Sequence, residues 1–198
     1  MLRIIAGKHR GRKLTPLSGG YARPTAGRAR EAIFNILAHA AFAPRPAYED
    51  AIVLDAFAGS GALGLEALSR GARFVSFMER DRAMRAVLAA NIAALGAERQ
   101  TAVLPADALR PPRASAPASL VFLDPPYAED WTASALTVLA AAGWLLPEAI
   151  AVAELSAKRD LAPPAGFTQL DERRYGAAKI VFLRYSAATA AASITGRS

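Results

Sequence analysis

The sequence contains no cysteine and only two histidines, and both shortages limit the kinds of functional site that the chain can form. Without cysteine, disulfide bonds and thiolate metal ligands are excluded, which fits a reducing compartment. His9 and His39 lie in unrelated contexts without metal-ligand spacing, so neither is predicted to bind a metal or to act as a general base. We therefore expect no metal in the functional site.

Long apolar runs are also scarce. The basic N-terminus lacks the apolar segment of a signal peptide. The uncharged stretch over residues 131–147 only reaches the lower limit of a membrane span, roughly 17–25 residues, and it contains Thr, Ser, Gly and Pro. We expect a soluble, cytoplasmic monomer.

Basic residues outnumber acidic ones, 24 to 17, which gives a formal net charge of +7. This excess favours a polyanionic partner, nucleic acid before an anionic membrane surface. The charge is densest in residues 1–20, where Gly7 and Gly11 between short apolar runs suggest a hairpin carrying basic side chains. A solvated basic arm is the alternative. In either form, the predicted nucleic-acid contacts are Arg3, Lys8, Arg10, Arg12, Lys13 and Arg28.

The pattern divides the chain into four segments: a hairpin extension at 1–20, a helical segment at 21–48, the main domain at 49–185 and a disordered tail at 186–198. In the helical segment, Thr25 is predicted to cap a helix. The main domain alternates strands with helices, which predicts an α/β sheet covered by helices on both faces. Predicted strands cover 51–57, 73–79, 101–104, 119–123, 150–154, 167–175 and 179–185. Predicted helices cover 62–70 and 132–141, and a third, capped by Asp81, runs to about residue 95.

The motif Asp124-Pro125-Pro126-Tyr127 follows the predicted strand at 119–123. Two prolines stiffen the loop and leave carbonyl acceptors free, and Tyr127 adds an aromatic ring. A carboxylate, rigid acceptors and a ring suit a planar group that carries an amino function. Acceptors that hold both amine hydrogens would orient the nitrogen toward an electrophilic methyl group. A purely structural turn is the alternative for such a motif taken alone.

A glycine-rich loop, Gly59-Ser60-Gly61-Ala62-Leu63-Gly64, follows the first strand and opens a helix, as a nucleotide-cofactor loop does. Asp55 just before it would repel a pyrophosphate but attract the ammonium and sulfonium of S-adenosylmethionine. Glu79 ends the second strand and can accept from ribose hydroxyls. Asp107, past the third strand, can accept from an adenine amine or cap its loop. Because these carboxylates and Asp124 follow strand ends, the sequence predicts methyl transfer at one rim of the sheet.

The chain contains the stretches RIIAGKHRGRKL, RPT, REAIFNIL, LDAFAGSGALGLEALSRGA, MERD, FLDPPY and RRYGAAKIVFLR. Together they resemble the RsmD family, bacterial methyltransferases of the guanine N2 amine in 16S ribosomal RNA. The resemblance covers nearly the whole chain apart from the tail; one departure is Gly27, where the family commonly carries an acidic residue.

This resemblance implies a Rossmann-like S-adenosylmethionine-dependent methyltransferase fold with a seven-stranded mixed sheet and a small N-terminal β-hairpin extension. It implies a substrate of 16S ribosomal RNA in an assembled or assembling small subunit. Asp124, Pro125, Pro126 and Tyr127 would meet the target guanine. The predicted cofactor contacts are Asp55, Gly59 and Gly61 on the methionine side, Glu79 at the ribose, and Asp107 and Ala108 at the adenine. The other predicted cofactor-binding residues are Phe57, Ser60, Arg80, Arg23 and Thr25.

Three other functions stay open at this point. DNA adenine or cytosine amino-methyltransferases share the D-P-P-Y motif, although the chain has no large insertion to serve as a DNA recognition domain. A non-catalytic ribosome-assembly factor on the same fold is the second. A nicotinamide oxidoreductase is the third, and Asp55 argues against it.

Overall fold

Seven β-strands form a single mixed sheet in the computed structural model, which describes residues 2–16, 24–43, 46–126 and 131–187. The predicted seven-stranded mixed sheet is confirmed. The strands are β1 Ile52–Asp55, β2 Phe74–Met78, β3 Thr101–Leu104, β4 Ala118–Leu123, β5 Leu145–Ser156, β6 Phe167–Tyr175 and β7 Ala178–Tyr185.

The strand order is β3-β2-β1-β4-β5-β7-β6. The first five strands along the chain pair in parallel, whereas β7 lies antiparallel between β5 and β6. The chain runs outward from β1 to β3 on one side and from β4 to β5 on the other. The order therefore reverses between β1 and β4, and ligands of such sheets bind at the carboxyl ends beside this reversal.

The helices are α1 Pro24–His39, α2 Ala62–Ser69, α3 Arg82–Leu95 and α4 Thr132–Ala141, with a short 3-10 turn at Glu98–Gln100. Asp81 caps α3 as predicted, since its side chain accepts from the Met84 amide at 2.8 Å. The predicted Thr25 cap is wrong, because α1 already includes Pro24, whose fixed φ suits the first turn of a helix. Within the described ranges, no helix is both long and apolar enough to cross a membrane.

Strand β5 begins five residues before the predicted start at Ile150. Leu145 pairs with Ala118, and regular pairing resumes at Ile150 opposite Leu120 after an irregularity. Glu148 in that interval has a φ of 66°. The early segment, which holds Pro147, is a distorted extension rather than a regular strand, and the sequence pattern does not show it.

Apolar side chains form two clusters, one on each face of the sheet. The first contains Phe34 of α1 and Phe122 of β4; the second contains Leu136 of α4 and the buried Trp144. This arrangement confirms the predicted helices on both faces.

The segment 2–14, called the N-terminal hairpin below, folds back on itself. Arg3 and Lys13 form an antiparallel bridge, and the Ile4 amide donates to the Arg12 carbonyl at 3.0 Å. Ile4 and Leu14 are buried in the first apolar cluster. The predicted hairpin is present, whereas the division of the chain into four segments stays a prediction. Residues 188–198 of the predicted tail lie outside the described residues.

A buried carboxylate holds the N-terminal hairpin against α2. Glu66 is fully buried and accepts from the amides of Ile5 at 2.7 Å and Ala6 at 3.0 Å. Its charge is balanced by Arg70, whose Nε lies 2.7 Å away. The turn of the hairpin therefore lies at the C-terminal end of α2.

Candidate active site

A cavity of about 600 Å³ opens at the carboxyl-end rim of the sheet. Its walls come from the loops that follow β1, β2, β3 and β4 and from the end of β5. A volume of this size suits a nucleoside-sized ligand. The predicted site residues that line it are Asp55, Phe57, Gly59, Ser60, Glu79, Arg80, Asp107, Ala108, Asp124, Pro125 and Pro126.

Asp55 lies at the end of β1 and is only 2% exposed. Its Oδ2 accepts from the Gly64 amide at 3.0 Å. Burial raises the pKa of Asp55 to about 7; the Gly64 hydrogen bond opposes this rise, and the negative charge of Glu79 adds to it. A buried carboxyl that is half ionised near neutrality gains from an approaching cation, because the cation favours the charged form.

Two glycines of the loop have structural reasons to lack a side chain. A Cβ on Gly61, whose φ is +79°, would lie 2.4 Å from a methyl group of Leu88. A Cβ on Gly64 would lie 2.4 Å from the ring of Phe77. Gly61 does not line the cavity, so close packing against α3 explains it better than the predicted cofactor contact.

Glu79, just past β2, braces the glycine loop from the cavity wall. One carboxylate oxygen accepts from the Gly59 amide at 2.9 Å, and the other from the Asp81 amide at 2.8 Å. These two contacts fix the carboxylate without neutralising it. It remains able to accept from hydroxyls of a ligand in the cavity, because a carboxylate has about four acceptor positions.

Asp107, past β3, caps its loop, which is one of the two roles that the sequence left open. Its Oδ1 accepts from the Leu109 amide at 3.0 Å, which is the loop-capping role. Its Oδ2 lies 3.3 Å from Nη1 of Arg80, and both residues line the cavity. The neighbouring Ala108 is buried at the same wall. This ion pair joins the loops after β2 and β3.

Asp124 follows β4 and faces the cavity beside Glu154 of β5. Its pKa lies well above the usual aspartate value, first because the surrounding protein removes water from the carboxyl, and then because of the charges of Glu154 and Asp55. The side chain nevertheless has accessible surface, since it borders the open cavity. Three acidic side chains, those of Asp55, Asp124 and Glu154, thus line the cavity at the carboxyl ends of neighbouring strands β1, β4 and β5.

Among the cavity residues that sequence reasoning missed, Glu154 and Trp131 carry a charged and an aromatic side chain. The Trp131 ring stacks on Phe57 at 6.4 Å between centroids with an 18° interplanar angle, and the guanidinium carbon of Arg80 lies 5.2 Å from the Trp131 centroid. Glu154 was assigned to a predicted strand, and its position at that strand's carboxyl end was the available signal. Trp131 carried no comparable signal, because it immediately precedes α4 outside any motif.

The remaining predicted residues fall into two groups. Tyr127 and Arg23 lie outside the described residues, as does the side chain of Thr25. The predicted nucleic-acid contacts in the N-terminal hairpin and at Arg28 are described and do not line the cavity. The Lys8 amide donates to the Ser69 carbonyl at 2.8 Å, so the hairpin turn is separated from the glycine loop by the length of α2, about 12 Å.

Among the described residues, no group of three or more His, Cys, Asp or Glu side chains is arranged to hold a metal ion. The acidic cavity instead suits organic cations and hydrogen-bond donors, because its carboxylates border apolar walls formed by residues such as Phe57, Leu63 and Met78.

Comparisons with known proteins agree with this geometry. The family model described as "Conserved hypothetical protein 95" matches residues 2–184. The ribosomal RNA small subunit methyltransferase D of Haemophilus influenzae is 36% identical over 88% of this chain and 89% of its own length. The protein of the same name from Escherichia coli K12 is 39% identical over 81% of this chain and 77% of its own length.

Two solved structures extend the likeness to three dimensions. The Escherichia coli protein yhhF superposes with a TM-score of 0.78 and 34% identity, covering 94% of this chain and 98% of that chain. The Haemophilus influenzae protein HI0767 superposes with a TM-score of 0.74 and 32% identity, covering 93% and 98%. The chain therefore belongs to the methyltransferase family described as Conserved hypothetical protein 95, the RsmD family that its motifs resemble.

Proposed function

We propose that this protein uses S-adenosylmethionine to methylate the exocyclic N2 amine of a guanine in 16S ribosomal RNA, in an assembled or assembling small subunit. The observation that carries the proposal is Asp124 beside the acidic cavity at the sheet's reversal point. The relatives named as small-subunit ribosomal RNA methyltransferases support the RNA class.

The residues of the cavity fit the cofactor. Asp55 supplies buried negative charge for an ammonium group, and its raised pKa means that a cation can draw it into the ionised form. Glu79 presents carboxylate oxygens for hydroxyl groups, and Asp107 can accept from an amine. When bound, the cofactor supplies an electrophilic methyl group.

The residues at Asp124 fit the acceptor amine. The Asp124 carboxyl faces the cavity, and the buried Pro125, which also lines it, contributes a backbone carbonyl acceptor. Together they accept the two hydrogens of a planar amine and orient its nitrogen. Removal of water and the charge of Glu154 raise the pKa of Asp124, and the partial positive charge of amine hydrogens favours its ionised, accepting form.

Electrostatics and positioning provide the catalytic advantage in this proposal. The target base must leave its stack to reach the cavity, as bases in RNA loops and ends do more readily than paired ones. Tyr127 is proposed to stack on that base. The net charge of +7 favours the phosphate backbone of the RNA partner.

The direct test supplies labelled S-adenosylmethionine to the purified protein with small ribosomal subunits from cells that lack this modification. Naked 16S RNA and duplex DNA are run in parallel. We expect label in the 16S RNA, identified after digestion as N2-methylguanine. The Asp124→Ala protein provides the matched control.

Each other outcome of this experiment would point to a different alternative function. Label at another position of guanine or in another base would contradict the N2 assignment while keeping RNA as the substrate. Label in DNA would favour a DNA amino-methyltransferase. Cofactor binding without any label on the subunits would count against the proposed substrate. Loss of cofactor binding altogether would favour a non-catalytic assembly factor.

A further inference from the structure

The carboxyl-end rim of the sheet carries arginines that the cavity does not use. Arg110 and Arg113 lie in the loop after β3, and Arg82 begins α3 just past β2; all three are exposed. Because β2 and β3 are parallel to β4, these residues lie on the same rim as Asp124. They belong to none of the contacts assigned so far.

These guanidinium groups differ from the exposed arginines that form ion pairs. Arg173 pairs with Asp171 at 3.0 Å and Arg174 with Glu172 at 3.7 Å. Arg82, Arg110 and Arg113 have no hydrogen-bond or ion-pair partner in the part of the chain that the structure describes. Their charge is therefore available to an external anion.

The loop that carries Arg110 and Arg113 is held in place. The Arg110 amide donates to the Asp107 carbonyl at 2.9 Å, directly beside the cavity. Two prolines follow, and the buried Trp144 indole donates to the Pro112 carbonyl at 2.8 Å. A positioned loop loses less conformational entropy when it binds than a mobile one.

The two loops that carry the rim arginines are joined to each other. Arg80 and Asp107 form the ion pair between the loops, with 3.3 Å between Nη1 and Oδ2. Arg82 is two residues beyond the first partner and Arg110 three residues beyond the second. The acidic residue between Arg80 and Arg82 is Asp81, whose carboxylate is engaged as the cap of α3.

We propose that Arg82, Arg110 and Arg113 form a second RNA contact surface that binds the phosphates flanking the target nucleotide. The proposal rests on the proposed function and deepens it. The N-terminal hairpin lies at the far end of α2 and cannot by itself hold a nucleotide at the cavity. An arginine guanidinium group can bind a phosphate through two parallel hydrogen bonds. Three such groups at the rim beside the cavity would hold the RNA strand on either side of the target base.

The test compares two double variants with equal loss of charge. Arg110→Ala with Arg113→Ala removes part of the proposed surface, and Arg173→Ala with Arg174→Ala removes paired arginines from β6 at the opposite end of the strand order. The affinity of each protein for a 16S RNA fragment is measured over a range of salt concentrations. The affinity for S-adenosylhomocysteine is measured by calorimetry, and a matched DNA strand is the competitor.

We expect the rim variant to bind RNA at least about tenfold more weakly at low salt, with the slope of log affinity against log salt reduced by about 1.5, since each phosphate contact contributes roughly 0.7–0.9. Its cofactor affinity should stay within about twofold of the original protein. The β6 variant should retain both the RNA affinity and the slope.

Equal losses in the two variants would overturn the proposal, because they would reflect net charge alone. A fall in cofactor affinity would assign the loop to the cavity instead. Equal competition by DNA would overturn RNA as the partner. The rim variant could lose RNA affinity although the original protein does not methylate RNA. That result would support the RNA contact surface and contradict the proposed activity.

Discussion

The side-chain amide of Asn91 donates a hydrogen bond to the Ser60 carbonyl at 2.9 Å, and both residues are buried. The same amide group donates to the Thr15 carbonyl at 3.1 Å, and its oxygen accepts from the Thr15 amide at 2.7 Å. A single side chain on α3 thus joins the glycine loop to the chain that leaves the N-terminal hairpin.

Asn91→Ala should destabilise the protein by about 2–4 kcal/mol, because it leaves several partly buried backbone groups without partners. It should also weaken cofactor binding, since the Ser60 backbone loses its support. Denaturant unfolding and calorimetry with S-adenosylhomocysteine measure the two effects. Gln100→Ala is the matched control: its amide oxygen accepts only from the exposed Lys8 ammonium, so a change below about 0.5 kcal/mol is expected.

The affinity for S-adenosylhomocysteine should rise with pH up to about pH 7 and then level off. Burial raises the pKa of Asp55 to about 7, so below that pH the carboxyl holds a proton that a bound ammonium must displace. Each pH unit in that range is worth up to about tenfold in affinity. Calorimetry over about pH 5.5 to 8.5, a range that spans the pKa of Asp55, measures this dependence of affinity on pH.

Asp55→Asn should bind more weakly and lose most of this pH dependence, while its amide oxygen still accepts from Gly64. A pH profile that survives in Asp55→Asn but disappears in Asp124→Asn would transfer the titration to Asp124, whose pKa is also raised. An increase in affinity as the pH falls would contradict a cationic ligand group at Asp55.

Asp124→Asn should reduce the rate of methyl transfer at least about 100-fold, because an amide offers one acceptor where the carboxylate offers two. The affinity for S-adenosylhomocysteine should change only a few-fold. Single-turnover rates with labelled cofactor separate these quantities. A loss of cofactor affinity as large as the loss of rate would mean that Asp124 belongs to the cofactor rather than to the amine.

Gly27→Ala should stabilise the protein by about 0.5–1 kcal/mol, because glycine inside a helix costs backbone entropy. Gly27 lies within α1, and a Cβ there would meet no atom within 4 Å. Gly7→Ala should have the opposite effect, because φ is +82° and the Cβ would lie 1.8 Å from the Ser69 carbonyl oxygen. Thermal unfolding of both variants provides the comparison; stabilisation by both would contradict the packing described for Gly7.

The sequence predicted the strands and the rim carboxylates well because both follow local rules. Period-two and period-3.6 patterns fix the elements, and parallel strands bring Asp55 and Asp124 to one edge. Trp131 and Glu154 could not be assigned in this way, since their roles depend on which elements become neighbours.

The burial of Arg30 likewise depends on contacts that the sequence pattern does not show. Its place on the polar side of the predicted helix indicates exposure, yet it is only 7% exposed. Its guanidinium donates to the Arg3 carbonyl at 2.7 Å and lies 3.9 Å from Glu66, which is distant in the sequence. Long-range compensation of this kind makes a buried charge tolerable, and no local pattern records it.

The buried carboxylate of Glu66 makes the first residues of this protein a structural ligand rather than an appendage. Two of its acceptor positions are filled by backbone amides of Ile5 and Ala6, which only a substitution by proline would remove. Deletion of the hairpin would leave those positions without donors in the protein interior. Truncation of the basic segment would therefore impair folding and RNA binding together. Replacement of its basic side chains by uncharged ones leaves the backbone amides in place and so separates the two effects.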